Sequence, residues 1–244
     1  MKRTYADLHL CANTTDVSQF TRLIKKASDL GYGLIATPFP SRINEQHVKQ
    51  IREICTEAGL DFAARVDLVP RTPEELLKEL RKVRRGFELV AVICLSKMVA
   101  RQAAKDRRVD LLNFPQPDFR KTFFDAAEAE LASNCMASLE IDLKPLLILE
   151  KTSRIRLLSM LRREVETAVD FHVPIIASSG VSEELLMRKP LELACLGSLA
   201  GLCDSAGIDA VSRNPATLVT RNREKLDWRF VAPGIRVIRR GKDC

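Results

Sequence analysis

Residues 7–10 read Asp-Leu-His-Leu, and Asp7 with His9 supplies two side chains of the kind that hold a metal. Strand side chains alternate with period two, so an Asp-x-His-x-His strand would lay its ligands on one face. Here the pattern stops early, because Cys11 stands where the next imidazole would be. The chain contains three histidines, His9, His47 and His172. A hydrolytic centre with two or three metals needs several imidazole and carboxylate ligands. Asp7, His9, Glu140 and Asp142 make a thin set for that task. The chain therefore reads as a hydrolase-type scaffold without a metal centre, with no metal ligand expected.

These residues need a frame, and apolar runs alternate with helical patterns along the chain. Strand candidates are 5–10, 33–37, 62–69, 88–95, 109–114, 137–142 and 174–178. Most are continuous apolar runs, as parallel strands covered by helices require. Leu23, Ile24, Ala27 and Leu30 mark one helix face; Val48, Ile51, Cys55 and Ala58 mark a second. A third face, Leu76, Leu77, Leu80 and Val83, opens with Thr72-Pro73-Glu74-Glu75, a capping box with proline at N1. Gly31, Gly59 and Gly86 recur at near-equal spacing and read as left-handed helix ends. A long helix carries Leu158, Leu161, Val165 and Ala168. Further helices are expected over 183–187, 191–206 and 215–225, and Ile208–Val211 is too short for an eighth strand. Residues 230–240 suit a short hairpin or an arm. The fold class is α/β: one TIM-like (βα) barrel domain over residues 1–244, closed or nearly closed. It has about seven parallel strands, extra C-terminal helices and a basic tail from about 230 to 244.

In such barrels chemistry sits at the strands' C-terminal ends. The polar residues assigned to this mouth are Asp7, His9, Arg65, Asp67, Asp110, Asn113, Glu140, Ser178 and Ser179, with Thr37 and Asp142 beside them. Arg65 and Asp67 share a strand face and are expected to pair. The cluster reads either as a buried ion-pair network or as a reactive site. No clear nucleophile–base pair stands out, and no catalytic residue is assigned. His47 falls on a helix and His172 before a strand, where structural or surface roles are expected. Ser178-Ser179-Gly180 is a strand-to-helix junction whose N–H groups could hold a phosphate. Ser182 before Glu183 and Glu184 reads equally as an ordinary helix cap.

Of 244 residues, 46% are hydrophobic and 5% aromatic, and the net charge is +7. Few aromatics argue against stacked-base platforms. The isoelectric point near 9.1 and basic runs at 78–85, 101–108, 154–163, 221–229 and 236–242 favour a polyanionic partner. Seven cysteines without a Cys-x-x-Cys pair read as reduced, mostly buried thiols of an intracellular protein. The N-terminus has no signal-peptide pattern and no apolar run spans a membrane, so a cytoplasmic protein is expected.

An ordered set of segments resembles one family. The segments are Tyr5-Ala6-Asp7-Leu8-His9, Arg65-Val66-Asp67-Leu68 and Val109-Asp110-Leu111-Leu112, then Ile175-Ile176-Ala177-Ser178-Ser179-Gly180. Met187-Arg188-Lys189-Pro190-Leu191-Glu192-Leu193 and residues 206–219, including Val211-Ser212-Arg213-Asn214-Pro215, complete it. The chain resembles the thirty-kilodalton protein subunit of ribonuclease P, known in archaea as ribonuclease P protein component 3. The resemblance implies a barrel related to the polymerase and histidinol phosphatase superfamily. It implies an accessory subunit of an endoribonuclease ribonucleoprotein, in which a catalytic RNA removes the 5′ leader from precursor tRNA. Its expected partners are that RNA, at least one other protein subunit and, through the complex, precursor tRNA. No cofactor is implied, and the isolated chain is not expected to be catalytic.

Basic residues that avoid the apolar helix faces are the RNA-binding candidates: Arg42, Lys97, Arg101, Arg107, Arg108, Lys144 and Arg213. Without aromatics beside them they suit the phosphate backbone better than base edges. Two competing readings remain at this point. One is a metal-dependent phosphoesterase of the related superfamily. The other is a small-molecule barrel enzyme with a phosphate site at residues 178–180.

Overall fold

A computed structural model describes residues 3–42, 44–115, 124–232 and 234–238. Seven strands form one parallel sheet in sequence order: β1 (Ala6–Asp7), β2 (Leu34–Phe39), β3 (Asp61–Leu68), β4 (Leu89–Ile93), β5 (Leu111–Asn113), β6 (Ser138–Asp142) and β7 (Ile175–Ser178). Between them run α1 (Val17–Asp29), α2 (Glu45–Glu57), α3 (Pro73–Val83), α4 (Lys97–Ala104), α5 (Ala126–Cys135), α6 (Lys144–Ile148) and α7 (Lys151–Asp170). After β7 come a 3₁₀ turn at Glu184–Leu186, then α8 (Pro190–Leu199), α9 (Asp204–Ala210) and α10 (Arg213–Leu226). A two-strand antiparallel hairpin, β8 (Phe230–Ala232) and β9 (Ile235–Arg236), follows. Residues 239–244 of the expected basic tail lie outside the described residues.

Local chemistry explains the helix starts. Asp16, Asn44, Thr72, Ser96 and Asp125 each accept a backbone N–H with the side chain. Thr72 caps α3 as expected, but Glu75 returns its bond to the Arg71 N–H rather than to Thr72. Gly31 and Gly59 take positive φ, whereas Gly86 does not: α3 ends in a tight turn, with the Gly86 N–H donating to the Val83 carbonyl. The helix expected over 191–206 is two helices, broken at Gly201. Residues 208–210 belong to α9, which is why no eighth strand forms there.

The helices bury their apolar faces against the outside of the sheet; α1 contributes Phe20, Leu23, Ile24 and Ala27. The lumen is filled by a separate inner cluster that combines Ala6, Ala36, Ala63 and Ala91 with Leu8, Leu34, Leu89, Leu111 and Ile176. Leu218 and Val219 of α10 enter this inner cluster from the strands' N-terminal end, here called the floor. Burying each contributes roughly 1.5–3 kcal/mol. Asn222 fixes the same helix by donating to the Glu88 carbonyl at 2.9 Å, and Arg223 binds Asp61 and Glu88.

Closure between β1 and β7 uses irregular backbone. At the mouth, the Gly180 N–H donates to the His9 carbonyl and the Cys11 N–H to the Val181 carbonyl, both at 2.9 Å. At the floor, the Ala6 N–H donates to the Val211 carbonyl at the α9–α10 junction, and Asn214 reaches the Ile175 carbonyl. That junction fills the place of an eighth strand. Gly180 has φ +65°, and a Cβ there would stand 3.1 Å from the Asp142 side chain. Closure therefore requires glycine at this position.

Candidate functional site

Strands β3, β6 and β1 converge on Arg65, which is fully buried. Its guanidinium donates to both oxygens of Glu140 at 2.5 and 2.6 Å, to Asp67 at 2.6 Å and to the Leu8 carbonyl at 2.7 Å. The expected Arg65–Asp67 pair is present, but the bidentate partner is Glu140, from a strand across the barrel. Ser178 donates to Glu140 at 2.8 Å, and Asn113 bridges Glu140 and Asp142. His9 lies between two carboxylates, with Nδ1 2.7 Å from Asp142 and Nε2 3.1 Å from Asp67. Asp7 accepts from the His9 and Ser179 N–H groups.

The electrostatics follow from that geometry. Burial and the Arg65 charge both oppose protonation of His9. The Asp142 and Asp67 carboxylates outweigh them and hold its pKa well above the ordinary 6.5. Burial would raise the pKa of Asp67, but Arg65 and His9 bring it down. Asp142 is lowered against burial in the same way, by His9 and then Arg65. Asp7 is raised, chiefly by burial. Two cations thus answer three carboxylates in a closed network.

His9, Glu140 and Asp142 do present ligand-type atoms within 4.8 Å of one another. They do not fit a metal as they stand. Both Glu140 oxygens are held by Arg65, and both His9 nitrogens face carboxylates as a protonated imidazolium would. A metal ligand must be a neutral imidazole. The guanidinium takes the cation's place among these carboxylates. The junction at 178–180 is no phosphate cradle either. The Ser179 and Gly180 N–H groups donate to Asp7 and to the His9 carbonyl, and the Val181 N–H faces Ser179 Oγ. Ser182 caps no helix through its side chain; it accepts from Lys144.

The structure gathers Asp7, His9, Arg65, Asp67, Asn113, Glu140, Ser178 and Ser179 at the mouth. Asp110 is the exception. It precedes β5 and sits at the floor, where it accepts from Arg84 at 2.7 Å, the Val90 N–H at 2.9 Å and Arg221 at 3.4 Å. The assignment failed because the apolar run 109–114 does not show that pairing begins only at Leu111. His47 lies in α2 with its ring edge-on to Phe39, and His172 occupies the turn before β7. Of the six described cysteines, only Cys55 and Cys94 are buried, against the expectation of mostly buried thiols.

The basic candidates divide. Arg42, Lys97 and Lys144 follow strands at the mouth, while Arg107 and Arg108 lie before β5 and Arg213 heads α10 at the floor. Lys97 pairs with Asp125 and Glu128, Arg101 with Glu128, and Arg108 with Asp106. Arg107, one of the candidates, belongs to a cationic group at the floor whose other members fall in the basic runs 78–85 and 221–229. Arg84, Arg107, Arg221 and Lys225 all act electrostatically around Asp110. Burial lowers the pKa of Lys225 first, and the positive charges of Arg221, Arg84 and Arg107 lower it further. Arg213 and Arg221 line one surface pocket, and Arg221, Lys225 and Arg236 the next. The i, i+4 spacing of Arg221 and Lys225 was the available signal, since it sets both on one helix face.

Fold and site define a TIM-like barrel protein whose mouth is tied by buried ion pairs and whose floor carries surplus cations. The model of the family described as RNase P subunit p30 matches residues 4–227. The chain belongs to this family of ribonuclease P protein subunits. It is 30% identical over 165 residues to ribonuclease P protein component 3 of Methanosarcina acetivorans, covering 68% of this chain and 69% of that one. Against the protein of the same name from Halobacterium salinarum it is 26% identical over 228 residues, covering 93% and 95%. A chain in a cryo-EM structure of archaeal ribonuclease P with mature tRNA shares the fold, with a TM-score of 0.84 at 18% identity. That match covers 98% of this chain and 100% of the other. Among the described residues no helix is long and apolar enough to cross a membrane.

Proposed function

We propose that this chain assists a catalytic RNA in removing the 5′ leader from precursor tRNA, as a non-catalytic protein subunit of a cytoplasmic ribonuclease P. It works as one barrel domain over residues 1–244, needs no cofactor, and binds both RNA and at least one other protein subunit. The observation that carries the accessory reading is Arg65. Its bidentate hold on Glu140 uses the carboxylate that a metal-dependent phosphoesterase would need.

The RNA contacts are basic side chains with charge to spare. At the floor these are Arg84, Arg107, Arg221 and Lys225 in the neighbourhood of Asp110, with Arg213 lining a pocket beside Arg221. Arg42 and Lys144 offer contacts at the mouth, while Lys97, Arg101 and Arg108 already have acidic partners. Such surfaces track phosphates and position RNA without reading bases.

Reconstitution tests this reading. Adding the chain to the catalytic RNA and its other protein subunits should increase leader removal, and His9→Ala should leave that gain largely intact. The purified chain alone should not hydrolyse phosphodiesters with Mn²⁺ or Zn²⁺. Metal-dependent turnover that His9→Ala abolishes would replace this reading with the phosphoesterase one.

A further inference from the structure

Beside the ion-paired mouth lies a pocket of about 550 Å³ with a different character. Phe114, Leu157 and Leu161 form part of its apolar wall, and Asn113, Asp142 and Glu164 place polar atoms in it. Its size and its few convergent polar groups are those of a small-ligand site. Glu164 comes from the middle of α7, is 2% exposed, and its Oε1 has no hydrogen-bond partner. Burial pushes its carboxyl up to about 8. A buried carboxylate without a partner is costly, and a cation brought against it offsets that cost. Among the described residues, no lysine, arginine or histidine lines this pocket, whereas four other surface pockets each carry at least one arginine. On a chain of net charge +7, this pocket is acidic.

We infer that this pocket binds an aliphatic ammonium group, with the alkyl stem against Leu157 and Leu161 and the charge between Glu164 and Asp142. The apolar wall favours an organic amine over a hydrated metal ion, which would need oxygen ligands around most of its surface. The carboxylates of Glu164 and Asp142 in the described lining disfavour phosphate, so this site is separate from the RNA contacts and does not rest on them. The same chemistry can come from a free amine or from a lysine side chain of a neighbouring subunit.

The test uses the full chain and n-butylamine, with n-butanol as the neutral isostere, followed by ligand-observed NMR and calorimetry. Butylamine should bind at least tenfold more tightly than butanol. Glu164→Gln keeps the shape and removes the charge, and should weaken butylamine at least tenfold while leaving butanol unchanged. Ser153→Phe, a surface substitution at the pocket wall, should weaken both and guards against a misfolded Glu164 variant. To separate the sources, the assembled holoenzyme is titrated with butylamine. Binding retained there supports a free amine, and binding lost only in the complex supports a partner's lysine. Equal affinity for butylamine and butanol, or an unchanged butylamine affinity in folded Glu164→Gln, overturns the inference.

Discussion

The two ends of the barrel treat charge in opposite ways. At the mouth, Arg65 and His9 are buried against Asp67, Glu140 and Asp142, and the charged groups hold one another. At the floor, Arg84 and Arg221 pair with Asp110, and Lys225 lies within the field of all three and of Arg107, so positive charge is in excess there. A buried network whose members hold one another strongly resists the loss of a member. Exposed cations such as Arg107 and Lys225 add little to stability, and their charge is available to a polyanion. On the proposed function, the conventional catalytic end of the barrel is the structural end, and the cations offered to RNA collect mainly at the other.

The sharpest way to break this contrast is Arg65→Ala. It strands Glu140 and should cost roughly 3–5 kcal/mol. For a chain of this length that lowers the melting temperature by on the order of 10 °C. A melting temperature like that of the parent would mean the mouth is no structural network. Arg65→Lys keeps the charge but loses the fork, so it should fall between the two.

His9→Gln comes next, at about 1–3 kcal/mol, because Asp67 and Asp142 lose a charged donor. The raised pKa of His9 sets the sign of its pH dependence. Its contribution is fully present below about 6.5 and is lost as pH rises through the folded-state value. The gap between parent and variant in denaturant melts should therefore narrow towards alkaline pH. A constant gap would show that His9 is not protonated in the fold.

Glu164 adds an acid-stable, alkali-labile component of its own. Its ordinary value of 4.5 rises to about 8 in the fold, so stability is lost as pH climbs between those values. The slope is at most about 1.4 kcal/mol per pH unit. Glu164→Gln should flatten the stability profile over that window. The smallest effect expected is that of chelation: EDTA should leave the melting temperature unchanged, and a clear drop would reveal a metal within the mouth.

Much of this frame was legible in the sequence because burial dictates it. Seven apolar runs mark strands covered by helices, and the N-capping residue of α3 sits where Thr72-Pro73 places it. The Arg65–Asp67 pair followed from period-two alternation alone. Its stronger partner, Glu140, did not, because contact across a barrel depends on closure rather than spacing. Asp110 illustrates the same limit: a polar residue in an apolar run reveals a strand, not which end of it pairs. The plugging role of α10 was equally hidden, since Leu218 and Val219 look like any amphipathic face until barrel closure brings them into the inner cluster.

The central claim is that the floor's exposed cations, not the mouth, meet RNA, and the salt dependence of assembly tests it most directly. The triple variant Arg107→Ala, Arg213→Ala, Lys225→Ala removes surface charge and should change stability by no more than about 0.5 kcal/mol. Measured with the catalytic RNA and the other protein subunits, its slope of log affinity against log salt should fall by about two to three units, since each lost phosphate contact removes roughly 0.7–0.9. A folded triple variant with the parental affinity and slope would contradict the account and return the RNA interface to the mouth or to the partner protein.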